Sequence, residues 1–231
     1  MQLPQPLIPG TLQRRYKRFL ADIVLTNGET ITAHCPNSGS LKGCDTPGNP
    51  VLISRSSNPK RKLPYTWELV QVNGVWVGIN TIYPNRLVRE AIENGTIVEL
   101  QGYTTLRGEV PIGEHSRIDL LAERPGEQCW IEVKNVTLVE DGVALFPDAV
   151  TTRGQKHLQE LMTVKAQGAR AVIFFVVQRA DGRIFAPADN IDPEYGRLLR
   201  KAHRAGVEIL PYLARVTPES ITLSHRIPFQ L

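Results

Sequence analysis

Asp119, Glu132 and Lys134 are the residues of this chain best suited to chemistry. They lie in Ser116-Arg-Ile-Asp-Leu120 and Cys129-Trp-Ile-Glu-Val-Lys-Asn135, whose apolar and β-branched residues predict two adjacent strands. Glu132 and Lys134 are two residues apart, so in a strand both side chains leave on one face. Two carboxylates beside an ammonium suit phosphodiester hydrolysis. That reaction needs an activated water, neutralised charge on the phosphoryl oxygens and help for the leaving oxygen. Asp119, Glu132 and the carbonyl of Val133 are candidate ligands for Mg²⁺ (or Mn²⁺), which takes a few carboxylates and keeps several waters. Lys134 is a candidate to orient or deprotonate the water or to stabilise the transition state, and the residues leave these roles open. A bland reading makes Lys134 the ion-pair partner of two strand-end acids. Against it, Asp119 lies between Ile118 and Leu120, where burying an unpaired charge is costly.

Other groups are candidates to join this centre or to hold a polyanion. Glu90 falls on a predicted helix before the acids, and Glu109 and Glu114 precede Asp119 closely. Arg153, Gln155, Lys156 and His157 crowd the first turns of a later predicted helix, where they can meet phosphate. The chain carries a formal charge of only +4, yet residues 1–62 hold nine Lys or Arg against three Asp or Glu, while residues 63–231 hold 18 against 20. The excess sits in Arg14, Arg15, Lys17 and Arg18 and in Arg55, Lys60, Arg61 and Lys62, patterns that attract phosphate backbone. Tyr16 and Phe19, beside Arg15 and Arg18, are candidate base-stacking residues, whereas Tyr65, Trp67 and Trp76 read rather as barrel filling. Pro36-Asn-Ser-Gly39 predicts a tight turn whose Asn37 and Ser38 are free to contact phosphate.

These residues need a scaffold of two kinds. Strands are expected over 20–34 as a hairpin at Asn27-Gly28, then at 50–55, 65–72 and 75–79, five short strands that suit a small OB-like barrel. Near residue 80 the pattern changes. A helix over 84–94 is followed by strands at 96–100, 104–110, 116–122, 128–135 and 143–146. Next come a helix capped by Thr151 or Thr152, the apolar strand Ala171–Val177, a helix over 193–205 and a strand over 207–214. The expectation is an all-β domain over residues 1–82 and an α/β domain over 83–231. The composition, 42% hydrophobic with no run near the roughly 20 apolar residues of a membrane span, points to a cytoplasmic protein without a membrane partner. The three cysteines are expected to be reduced thiols.

The chain closely resembles the sugar fermentation stimulation protein family, SfsA, over essentially its full length. The resemblance rests on Pro36-Asn-Ser-Gly-Ser-Leu41, Arg117-Ile-Asp-Leu-Leu121, Ile131-Glu-Val-Lys-Asn-Val-Thr137, the run Phe146 to Leu158 and Val176-Val-Gln178. It implies an amino-terminal OB-like domain, a restriction-endonuclease-like α/β domain similar to the PD-(D/E)xK nucleases, and binding of DNA or RNA. No obligate protein partner is implied. Asp119 then matches the first acid, Glu132 the second, Lys134 the lysine, and Glu90 the additional helix acid. The position before Asp119 holds Ile118 rather than Pro, and Pro147-Asp148 comes too late for that role. The same resemblance implies an alternative, a non-catalytic DNA-binding protein with a regulatory role in sugar metabolism.

Overall fold

The computed structural model describes residues 1–112 and 116–231, so Glu114 lies outside the described residues. Six strands form the amino-terminal part: β1 (Ile8–Tyr16), β2 (Leu20–Leu25), β3 (Thr30–His34), β4 (Pro50–Arg55), β5 (Tyr65–Val72) and β6 (Val75–Gly78). β1 pairs with both β2 and β4, β2 with β3 and β4 with β5, and a parallel bridge between His34 and Thr66 closes the barrel. The OB-type barrel therefore has five strands, but the fifth is β1, and β6 is an outer hairpin strand on β5. The sequence hides β1 because most of Ile-Pro-Gly-Thr-Leu-Gln-Arg-Arg-Tyr faces solvent and only Leu12 is fully buried. Gly10 is needed there, since a Cβ would lie 2.5 Å from Ile23 Cγ2 and 2.9 Å from the Val24 carbonyl oxygen. The β5–β6 turn is Asn73-Gly74 with both φ positive, as two-residue hairpin turns require. Trp67, Ile23, Ile53 and Val70 fill the interior, and the Trp67 indole donates to the Leu69 carbonyl at 2.9 Å.

The second part begins with α1 (Tyr83–Glu93), whose first turn contains Pro84 and after which Gly95 adopts positive φ. The expected strand at 96–100 is instead a short loop and one 3₁₀ turn, Val98–Leu100. There follow β7 (Thr105–Ile112), β8 (Ser116–Arg124), β9 (Glu127–Val136), β10 (Leu138–Glu140), β11 (Val143–Phe146), α2 (Thr152–Ala166) and β12 (Arg170–Val177). β13 (Ile184–Pro187), α3 (Pro193–Arg204), β14 (Glu208–Val216) and β15 (Ile221–Arg226) complete the chain. The main sheet has the order β15-β14-β12-β9-β8-β7, with β9, β12 and β14 parallel, and β10-β11-β13 form a small second sheet. β10, β13 and β15 are short or half-polar and carry little sequence signal.

The continuous apolar run of β12 is buried on both faces. Val172, Phe174 and Val176 pack with Leu87 and Val88 of α1, while Ile173, Phe175 and Val177 pack with Leu158 and Leu161 of α2 and Leu198 of α3. Each such side chain contributes on the order of 1.5–3 kcal/mol through burial. The barrel is tied to this domain through buried Glu68 of β5, which accepts hydrogen bonds from Ser54 Oγ (2.7 Å), Asn80 Nδ2 (2.8 Å) and the Tyr83 hydroxyl (2.9 Å). A second tie is Asp148, whose carboxylate accepts from the Leu41 amide at 2.8 Å and whose carbonyl accepts from Ser40 Oγ at 2.5 Å.

Candidate active site

The ladder between β8 and β9 ends at Leu120 opposite Ile131. Where the strands part, Asp119 Oδ2 accepts the Val133 amide at 2.8 Å, replacing a ladder bond with a carboxylate. Its other oxygen accepts from Asn85 Nδ2 of α1 at 2.9 Å. Burial, and then the charge of Glu132, push the Asp119 carboxyl up to about 6 despite these two donors.

Glu132 is 2% exposed. Its Oε1 takes Lys134 Nζ at 2.5 Å and also meets His157 Nδ1. Burial opposes ionisation, but Lys134 and His157 outweigh it, so the Glu132 carboxyl is held below its ordinary range. The Arg153 Nε donates to His157 Nε2 at 3.4 Å, which assigns the ring proton to Nδ1 and makes His157 a donor to Glu132. Glu132 Oε2 is buried and has no hydrogen-bond partner among the described residues.

These groups lie in a cleft of about 440 Å³, also lined by Asn37, Ser38 and Gly39 of the barrel, Asn85 of α1 and Arg153 of α2. The cleft is thus built by both domains. Among the described residues no third acid, histidine or cysteine completes a cluster with Asp119 and Glu132 that could hold a metal by side chains alone. A buried carboxylate with one orphaned oxygen, Glu132, beside the half-buried Asp119 in a polar cleft with room for water fits a hard cation such as Mg²⁺. Asp119, Glu132 and the Val133 carbonyl are the groups that could hold such an ion.

Of the other sequence candidates, Arg153 and His157 reach the cleft, and so do Asn37, Ser38 and Glu109. Glu109, with φ of 53°, lies on β7 between the pairs Gly108–Leu120 and Val110–Ile118. Glu90 does not reach it, contrary to expectation. It contacts the Met1 amino nitrogen at 2.9 Å, and Asn85, about 140° away around the same helix, faces the acids instead. Gln155 is also turned away, donating to the Asp192 carboxylate at 2.9 and 3.1 Å between α2 and α3. Lys156 is exposed beside Glu160 at 3.6 Å.

In the barrel, Arg14 pairs with Asp22 at 2.8 Å and lies over the Tyr16 ring. Arg15 faces inward rather than toward a ligand, donating to the carbonyls of Ser40 (2.8 Å), Asn37 (2.9 Å) and Gly39 (2.6 Å), and so shapes the Asn37–Gly39 lip. Lys17 and Arg18 are exposed in a turn with positive φ. Lys60 is exposed and Arg61 donates to Thr66 Oγ1 at 3.0 Å, both outside the cleft lining. Asn85 and Asp148 were not anticipated as site residues. The only cue for Asn85 was its place in the first turn of a helix behind Pro84.

Comparison with known proteins adds the following. The profile of the sugar fermentation stimulation protein RE domain matches residues 82–220, and that of the SfsA N-terminal OB domain matches residues 14–79. The sugar fermentation stimulation protein homolog of Geotalea uraniireducens (strain Rf4) is 66% identical over 231 residues, all of both chains. That of Geobacter sulfurreducens is 67% identical over 228 residues, 99% of this chain and 98% of the relative. The solved structure of Pyrococcus furiosus SfsA in complex with Ca²⁺ is 27% identical, with a TM-score of 0.90 over 100% of this chain and 98% of that one.

Proposed function

We propose that this chain, which belongs to the sugar fermentation stimulation protein family, is a divalent-metal-dependent nuclease acting on DNA or RNA. The observation that carries the reading is buried Glu132, with one oxygen shared by Lys134 and His157 and the other without a partner, beside an Asp119 whose charge its surroundings disfavour. Burial and the neighbouring Glu132 make the Asp119 charge costly in the folded chain, and a bound cation would offset that cost. The Ca²⁺ complex of the Pyrococcus furiosus relative supports a hard, oxygen-seeking cation as the ligand.

When bound, Mg²⁺ supplies neutralisation of the negative charge that develops on the phosphoryl oxygens. The side chains do the rest. Asn85 and the Val133 amide fix the Asp119 carboxylate, and His157, held by Arg153, fixes Glu132. Lys134 Nζ, 12% exposed beside Glu132, can orient the attacking water and place positive charge near the reacting phosphate. Arg153 at the cleft edge is positioned to receive a phosphate oxygen.

The test is cleavage of labelled DNA and RNA with Mg²⁺, Mn²⁺ or EDTA. Metal-dependent cleavage that falls about a hundredfold or more in Glu132→Gln supports the reading. Equal cleavage by Glu132→Gln refutes it.

A further inference from the structure

We infer that the cleft continues into a second groove that takes one strand of nucleic acid, so that the substrate is single-stranded rather than continuous duplex. This rests on the nuclease reading for where the strand is cut, but not for whether it binds. The groove has a volume of about 480 Å³ and shares Ser38, Gly39, Phe146 and Asp148 with the catalytic cleft. Each compartment has the size of a small-ligand pocket, roughly 300–1,000 Å³. They adjoin at the junction of the two domains, on either side of these four residues.

The two walls of the groove differ in chemistry. The α/β domain contributes Phe146, Pro147, Ala149 and Val150 beside Asp148 and Thr151, a mainly apolar wall on which Val150 stays 67% exposed and the Asp148 carboxylate is engaged by the Leu41 amide. The barrel contributes the Ser38 and Ser40 positions with Arg15 and Arg18. Arg15 is committed to loop carbonyls, while the exposed Arg18 guanidinium has no carboxylate partner among the described residues. Phe19, next to it, is 52% exposed. A single strand presents bases on one side and phosphates on the other, matching an apolar wall facing a basic one. A duplex hides its base faces and would leave the apolar wall in water.

The walls are also fixed to each other. Ser40 and Leu41 bond Asp148, and a Cβ on Gly39 would lie 3.2 Å from both Asp148 carboxylate oxygens, so the sill between the compartments is tight and lined by backbone. A strand can cross such a sill.

The experiment is fluorescence anisotropy in EDTA at about 50 mM salt, with labelled oligothymidylate of about 12 nucleotides and a duplex of equal length. EDTA prevents turnover, so binding is read alone. The intact chain should bind the single strand about tenfold more tightly than the duplex. Arg18→Ala should weaken single-strand binding about fivefold and Val150→Asp about tenfold, while Lys201→Ala, on exposed α3 away from both compartments, should change it less than about twofold. Duplex binding equal to or tighter than single-strand binding overturns the inference. So do wild-type affinities in both groove variants, or an equal loss in Lys201→Ala, which would indicate unlocalised charge attraction. Failure of the nuclease reading is distinct: the wild type would cut nothing with Mg²⁺ or Mn²⁺ while the binding differences persisted.

Discussion

Replacing Asp119 with Asn should stabilise the metal-free protein at neutral pH while abolishing its metal site. The Asp119 carboxyl is raised from an ordinary 3.8 to about 6, first by burial and then by Glu132. Below pH 3.8 the group is protonated in both the folded and the unfolded chain and costs nothing. Between there and pH 6 the unfolded chain ionises first, so stability falls as pH rises. Above pH 6 the loss is complete. Each tenfold in proton affinity is about 1.4 kcal/mol, so the full cost approaches 3 kcal/mol. An Asn still accepts from the Val133 amide but presents an N–H toward Asn85, giving back about 1 kcal/mol. The net gain expected in urea unfolding with EDTA at pH 7.5 is about 2 kcal/mol, vanishing at about pH 4.5 and reversing below it. Saturating Mn²⁺ should raise the wild-type midpoint and leave Asp119→Asn unmoved. A variant less stable than wild type at pH 7.5, or a gain equal at both pH values, would refute the electrostatic account of this site.

Three further outcomes follow from the same geometry. Asn85→Ala frees one Asp119 oxygen and should weaken Mn²⁺ binding by about tenfold in calorimetry, with the fold intact; unchanged affinity would remove Asn85 from the site. Asp148→Ala leaves the Leu41 amide unpaired and should cost about 1–3 kcal/mol in denaturant unfolding, with a lower cleavage rate because the Asn37–Gly39 lip loses its anchor. Gln155→Ala should lower stability by about 1 kcal/mol through the loss of its bonds to Asp192 yet leave kcat unchanged, and a large fall in kcat would restore Gln155 to the cleft.

The strand pair that brings Asp119, Glu132 and Lys134 into one cleft was legible because two cues coincide. Glu132 and Lys134 have the two-residue spacing of one strand face, and Asp119 interrupts an apolar strand. A threonine cap at 151 or 152 was also readable, and the structure places it at Thr151, whose hydroxyl accepts from the Gly154 amide at 3.1 Å. The α1 acid misled because amphipathic spacing identifies the buried stripe of a helix but not which polar flank meets a sheet edge. Asn85 and Glu90 lie on different flanks, and only the packing of Leu87 and Val88 decides between them. On α2 the periodicity alone separates the residues, since Arg153 and His157 are four apart and share a face while Gln155 is about 200° from Arg153. β1 escaped because an exposed barrel strand with Pro9 and Gly10 has neither alternation nor apolar continuity. Asp148 could not be read as a tie between domains, because its partners Ser40 and Leu41 are more than 100 residues away in the chain.

The most direct test of the account is cleavage of labelled single-stranded and duplex DNA and RNA by wild type and by a Glu132→Ala, Lys134→Ala double variant, with Mg²⁺, Mn²⁺ or EDTA and with binding followed in parallel. Metal-dependent cleavage by the wild type, its loss in the double variant and retained binding in both are expected. Salt-sensitive binding by both proteins with no cleavage by either under any condition would contradict this expectation and leave a nucleic-acid-binding protein on a nuclease-like scaffold.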